Sequence, residues 1–200
     1  MEIFSDLLHF DHQLFLLING AFPRDWLDPV MTAVTDMGNG AYQFPIGLLI
    51  LILVSRQHLK RDVPLWASTA LLSLLVGELL KKQIARPRPL AYFHDKIVDH
   101  QVTVHVVGPH LMANSFPSGH TFSAFSAATL FSGLYPRFSV LLYGLAFLTG
   151  ISRIYVGAHF PGDVLFGAII GSLSSWVVLR YLRPKIEQFQ SSKIETGKEA

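Results

Sequence analysis

Apolar residues in this chain gather into long runs separated by short polar breaks. Five runs approach the roughly 20 residues that a bilayer-spanning helix requires. Tyr42–Val54 reads YQFPIGLLILILV and stops at Ser55-Arg56. Val63–Leu80 carries a single acid, Glu78. Thr121–Tyr135 is rich in Ser, Ala and Gly, the small residues that let helices approach closely in lipid. Phe138–Ile151 and Val164–Leu182 complete the set. Only Pro136-Arg137 separates the third run from the fourth, which predicts a tight helical hairpin. No run alternates with a period of two, which argues against a β-barrel. The first 40 residues differ. Leu14–Ile18 is short and set among Asp11, His12 and Asn19, and Trp26–Met37 is broken by Asp28, Pro29 and Asp36. These segments predict one or two interfacial helices, with a sixth span as the alternative.

Composition agrees with this pattern. Half of the 200 residues are apolar, only 15% are charged, and the mean hydropathy is +0.39. Soluble domains carry about 25% charged residues. The fold expected is therefore an all-α polytopic membrane helical bundle of five or six transmembrane helices with N-terminal interfacial helices. There is no cysteine, so disulfide scaffolds and thiolate metal sites are excluded. The 16 basic residues are nearly balanced by 14 acids and form no dominant run, so no nucleic-acid partner is expected. Glu2, Asp6 and His9 stand where a cleavable signal would be basic. Residues 1–184 read as a single membrane-embedded domain, with 1–40 interfacial and 89–117 an outer loop. Residues 185–200 read as a polar, mobile cytoplasmic tail.

If the five runs alternate across a bilayer, one side receives Arg56, Lys60, Arg61, Arg137, Arg180, Arg183, Lys185, Lys193 and Lys198. The other receives Lys81, Lys82, Arg86, Arg88, Lys96 and Arg153. This excess puts the tail in the cytoplasm and the Lys81-to-Arg153 side outside.

Three polar clusters fall on that outer side. Lys81 to Pro89 leaves the second run, Ser115 to His120 enters the third, and Ser152-Arg153, His159 and Asp163 lie between the fourth and fifth. Lys81 and Arg88 are two helical turns apart and are expected on one face of a helix end, which the prolines then stop. Arg153 adds a third cation. Cations gathered near apolar helix ends repel one another unless an anion neutralises them. The Arg fork matches phosphate oxygens, and Lys acts as a point charge. Ser118 stands at the expected N-cap of the third run, where the backbone N–H groups from Gly119 onward attract an anion.

His159 and Asp163 are four apart, with Pro161 suited to a first helical turn. An Asp on one ring nitrogen fixes the tautomer and leaves the other nitrogen nucleophilic. His120, beside Ser118, is placed to protonate a leaving oxygen. Each residue has a plainer reading: Lys81, Arg88 and Arg153 as snorkelling or topological charges, Ser118 as a helix cap, His159 and Asp163 as a structural pair. Their convergence at one membrane face outweighs these. Glu78 is read as a structural partner of Lys81 or Lys82. Lys82 and Arg86 are read as contacts to headgroups or a second phosphate, and Tyr155 as lining the entrance. His94, His100, His105 and His110 have no regular metal spacing and read as a solvated cap.

The sequence resembles the type 2 phosphatidic acid phosphatase superfamily of lipid phosphatases. Lys81-x6-Arg88-Pro89 matches the first signature, Pro117-Ser118-Gly119-His120 the second, and Ser152-Arg153-x5-His159-x3-Asp163 the third. The resemblance implies His159 as nucleophile through a phosphohistidine, oriented by Asp163, and His120 as acid. It implies Lys81, Arg88, Ser118, Gly119 and Arg153 as phosphate ligands, with no metal and no other cofactor. The substrate expected is a membrane lipid phosphate, first of all undecaprenyl diphosphate. Small members with short loops resemble undecaprenyl diphosphatases of the bacterial inner membrane, with the site facing outward. Phosphatidylglycerophosphate and phosphatidic acid are the alternatives. A lipid phosphotransferase, or a non-enzymatic lipid-phosphate binder or transporter, stays open at this stage.

Overall fold

The computed structural model describes residues 2–21 and 25–196, and every regular element among them is helical. In chain order these are α1 (Glu2–Ala21), α2 (Leu27–Asp36), α3 (Gly40–Val54), α4 (Leu59–Ile84), α5 (Pro89–Tyr92), α6 (His94–Val98), α7 (Gly119–Leu134), α8 (Ser139–Tyr155), α9 (Pro161–Val177) and α10 (Arg183–Thr196). A π-helical stretch, Val178–Leu182, joins α9 to α10. The polar segment expected to be mobile is thus helical as far as Thr196, tied by Arg183 to Glu187 (2.9 Å) and reaching α4 through Arg61. Lys198 lies outside the described residues.

Among the described residues, three helical stretches are long and apolar enough to cross a membrane: Arg56–Val98, Pro136–Tyr155 and Pro161–Ser192. Gly40–Leu53 is apolar but shorter, and α7 has 16 residues. Neither α1 nor α2 is among the candidate spans. The molecule is apolar outside and partly polar within. Val140 is 90% exposed, and Leu53, Leu74, Phe147 and Leu173 also face outward from four different helices. Ser126, Thr149, Ser152 and Ser175 are buried. Water gives no reason for that arrangement, whereas lipid does.

α7 is the hub, in contact with α4, α8 and α9. Its small residues permit this. A Cβ on Gly171 of α9 would stand 2.4 Å from the Phe122 carbonyl oxygen, so only glycine fits that crossing. Ser175 Oγ donates to the Ser126 carbonyl (2.6 Å), and Ser126 Oγ donates to that of Gly171 (3.0 Å). Leu51, Leu65, Trp66, Leu130 and Val178 fill the core between α3, α4, α7 and the α9 end.

Local chemistry sets the helix ends that matter. Asn39 caps α3 by accepting from Ala41 N (3.1 Å). Ser118 stands in extended backbone as the N-cap of α7, and Pro161 is the first residue of α9. α4 stops at Ala85, which turns left-handed (φ 45°) while its N–H donates to the Lys81 carbonyl. Arg88 is therefore not on the helix of Lys81, as the two-turn spacing predicts; it precedes α5 in extended backbone.

α1 packs across the same end of the bundle. Phe15 is fully buried with Phe93, Ile154 and Phe160. Asn19 is fully buried too, donating to the carbonyls of Tyr155 (2.8 Å) and His105 (2.9 Å) and accepting from His105 N (2.8 Å).

Candidate active site

The end of α4, the 85–88 turn, the segment before α7, the α7 N-terminus, the end of α8 and the α8–α9 turn meet at one pole. His159 is 2% exposed and fixed in orientation. Its Nδ1 donates to the Ser115 carbonyl oxygen (2.7 Å), which leaves Nε2 as the unprotonated nitrogen. Arg88 Nη1 stands 3.3 Å from Nε2. Burial pushes the His159 pKa down to about 4; Asp163 opposes this, and Arg88 and Arg153 add to it. The ring is therefore neutral at neutral pH, as a nucleophile must be.

Asp163 is fully buried and saturated with donors. It accepts from Ser115 Oγ (2.5 Å), Phe160 N (2.9 Å) and Arg86 Nη1 (2.6 Å). Its closest approach to His159 Nδ1 is 3.8 Å, so no direct hydrogen bond joins them. Asp163 instead holds the Ser115 side chain while the Ser115 carbonyl holds the ring. Sequence reasoning missed Ser115 in this role because its contact to the imidazole is made by backbone.

The cations converge from separate elements. Arg88 is anchored by its Nε to the Ala113 carbonyl (2.8 Å) and by Nη1 to that of Ala158 (3.1 Å). Arg153 is 6% exposed; its Nη1 donates to Thr35 Oγ1 (3.1 Å), and its Nε has no partner among the described residues. No carboxylate pairs with either guanidinium among the described residues. Lys81 Nζ contacts Glu78 (3.1 Å) and stands 3.5 Å from where a Gly119 Cβ would be. Glu78 is exposed, so the pair is open to solvent. Ser118 Oγ shares a hydrogen bond with Thr121 Oγ1 (2.9 Å), and Ser118 N donates to the Asp163 carbonyl (3.1 Å).

His120, in the first turn of α7, lines two cavities. One, about 390 Å³, runs from Lys81 and Gly119 toward Trp66 and Phe44, between α3, α4 and α7. The other, about 280 Å³, opens past Arg153 to Asp36 and the Val106–Pro109 segment.

Other residues fall differently from their sequence reading. Tyr155 is buried, and its hydroxyl donates to Asp28 Oδ1 (2.6 Å) instead of lining an entrance. His105 is tied to the same carboxylate (2.8 Å), whereas His94, His100 and His110 are exposed. The Tyr155 and His105 bonds hold the Asp28 carboxyl below its ordinary range. Arg86 faces inward to Asp163 and not to headgroups. Among the described residues, no group of three or more His, Asp or Glu is arranged to hold a metal ion.

The profile of the PAP2 superfamily matches residues 63–187. The undecaprenyl-diphosphatase BcrC of Bacillus subtilis is 31% identical over 88% of this chain and 88% of its own length. The crystal structure of Aquifex aeolicus LpxE superposes with a TM-score of 0.70 and 34% identity, covering 84% of this chain and 94% of that one. A transmembrane PAP2-type phosphatidylglycerolphosphate phosphatase from Bacillus subtilis gives 0.65 and 25%, covering 86% and 84%.

Proposed function

The chain belongs to the PAP2 superfamily, and on that premise we propose that it hydrolyses a membrane lipid phosphate or diphosphate through a phosphohistidine. The observation that carries this reading is the convergence of Arg88, Arg153 and Lys81 on the pole of His159 and His120, with Arg88 Nη1 3.3 Å from His159 Nε2 and neither guanidinium paired with a carboxylate among the described residues. A phosphoryl group seated there meets Arg88, Arg153, Lys81 and the N–H groups beginning at Gly119. These neutralise the charge on its oxygens, which is the main demand of phosphoryl transfer. His159 Nε2 attacks phosphorus, the bond to the leaving oxygen breaks, and His120 gives that oxygen a proton. His120 then takes a proton from water as the water oxygen attacks phosphorus and the N–P bond breaks, releasing phosphate and restoring His159. Asp163 orients the nucleophile through Ser115.

Undecaprenyl diphosphate is the first substrate proposed, supported by the coverage of the Bacillus subtilis undecaprenyl-diphosphatase. Phosphatidylglycerophosphate is the alternative, favoured by the superposition on the phosphatidylglycerolphosphate phosphatase. In either case the cavity between α3, α4 and α7 takes the start of the tail. We place α3, α4, α7, α8 and α9 as spans of a bacterial inner membrane, within a single domain of residues 1–184. α1 and α2 lie at the outer interface, the site faces outward and α10 is cytoplasmic.

The test is phosphate release, without added metal, from purified protein given undecaprenyl diphosphate, phosphatidylglycerophosphate and phosphatidic acid in turn. Release from at least one, lost in His159→Ala and inhibited by vanadate, is expected. Product formation only with a lipid acceptor present would mark a phosphotransferase; lipid binding without turnover would mark a binder or transporter.

A further inference from the structure

The mechanism leaves one buried charge assembly unused. Arg86 lies in the turn after α4, its guanidinium 4.3 Å from the centre of the Phe160 ring and largely buried. One arm reaches Asp163 Oδ1 (Nη1, 2.6 Å) and another reaches Asp11 Oδ2 of α1 (Nη2, 2.7 Å). The second oxygen of Asp11 accepts from Gly162 N (2.6 Å), in the first turn of α9 directly before Asp163. Asp11 therefore grips both the arginine that holds Asp163 and the backbone that carries it. α1 is brought to this place by Phe15 and Asn19.

We propose that Asp11 and Arg86 are positioning residues: a clamp supplied by the N-terminal helix that holds Asp163 and sets the charge felt by His159. The proposal rests on His159 being the nucleophile. Asp11, Arg86 and Asp163 together carry one net negative charge beside the imidazole. Without Asp11, the Arg86 cation is no longer balanced and the ring is harder to protonate. Without Arg86, two carboxylates face the site and the ring is easier to protonate. The other charged or titratable groups around the ring are Arg88 from the turn before α5, Arg153 from α8, His120 from α7, Lys81 from α4 and His12 from α1. His12 Nε2 is 3.4 Å from Arg86 Nη2. These are unchanged in the variants below.

The experiment is the pH profile of kcat/KM for phosphate release from the full chain, for wild type, Asp11→Asn, Arg86→Gln and the double variant. Each single variant is expected to lose about 10- to 100-fold at the optimum, the usual cost of losing a group that orients a reactive ligand. The acid limb is where His159 becomes protonated and activity falls. It should move to lower pH in Asp11→Asn and to higher pH in Arg86→Gln, each on the order of one unit. It should return toward wild type in the double variant, which restores the single net negative charge. Arg86→Lys should keep the limb of wild type while recovering part of the rate. Single-variant limbs that stay in place or move in the same direction overturn the proposal, whatever happens to the rate. If Arg86→Gln yields no folded protein, Asp11→Asn alone decides. A lowered limb supports the clamp; an unmoved or raised one overturns it. A wild type that releases no phosphate, or a His159→Ala variant that does, refutes the nucleophile reading instead.

Discussion

Two aspartates are fully buried at opposite ends of this bundle, and they are built alike. Asp62, in the first turn of α4, accepts from Arg61 Nε (2.7 Å), Ser55 Oγ (3.2 Å) and the Tyr135 hydroxyl. Asp163, in the first turn of α9, accepts from Arg86, Ser115 and its own N-cap backbone. Each pairs one arginine, at least one hydroxyl and a helix N-terminus, which is how a carboxylate becomes tolerable away from water. About 28 Å of α4 separates Asp62 from Lys81 at the other pole. The difference lies outside the shell. Around Asp62 the arginine is spent on Asp62 and Glu187. Around Asp163, Arg88, Arg153 and the Nε2 of His159 are paired with no carboxylate among the described residues. A buried carboxylate alone marks a structural knot; surplus cations beside a free nitrogen mark a site for an anion and a reaction.

The comparison breaks first at His159. His159→Ala should cost at least about 10³-fold in phosphate release, since a missing nucleophile is not replaced by its neighbours, with the melting temperature little lowered. His120→Ala should cost about 10²- to 10⁴-fold. That loss should be smaller for a diphosphate lipid than for a monophosphate ester, because a departing phosphate needs a proton less than a departing alkoxide does. The paired test is Asp163→Asn against Asp62→Asn. The first should lower kcat by about 100-fold. The second should leave kcat near wild type but reduce stability by about 1–3 kcal/mol, read by thermal unfolding in detergent. Comparable kcat losses in both would erase the distinction drawn here. Tyr135→Phe, which removes one donor to Asp62, should destabilise by about 1 kcal/mol with unchanged turnover.

A further effect is one of pH. His159 has a pKa of about 4 when folded against an ordinary 6.5. The folded state thus resists a proton that the unfolded chain accepts. Its contribution to stability is intact above pH 6.5 and is lost as the pH falls toward 4. His159→Ala should flatten that part of the melting-temperature profile. In wild type, activity should persist through mild acid and fall only as the pH nears 4.

The runs of apolar residues and the three motifs were legible in the sequence because each is a local pattern. Ser118 at the start of α7 and Pro161 at the start of α9 stand where residue type put them, although the Ser118 hydroxyl pairs with Thr121 Oγ1 and makes no capping bond. Arg88 did not sit where spacing put it, because Ala85 adopts a left-handed turn that no residue type there announces. Asp11 and Arg86 are 75 positions apart, joined by tertiary docking of α1 that hydropathy does not encode. The tail looked mobile from its polarity, yet Glu187 gives it intrahelical and interhelical partners.

Arg153 carries a last implication. Its Nε is buried without a partner among the described residues, and its charge is repelled by that of Arg88. On the proposed function the groups facing the phosphoryl oxygens are also open to inorganic phosphate, the product of the reaction. Phosphate in the surrounding medium should compete with lipid and, at 100 times its dissociation constant, stabilise the fold by about 2.7 kcal/mol.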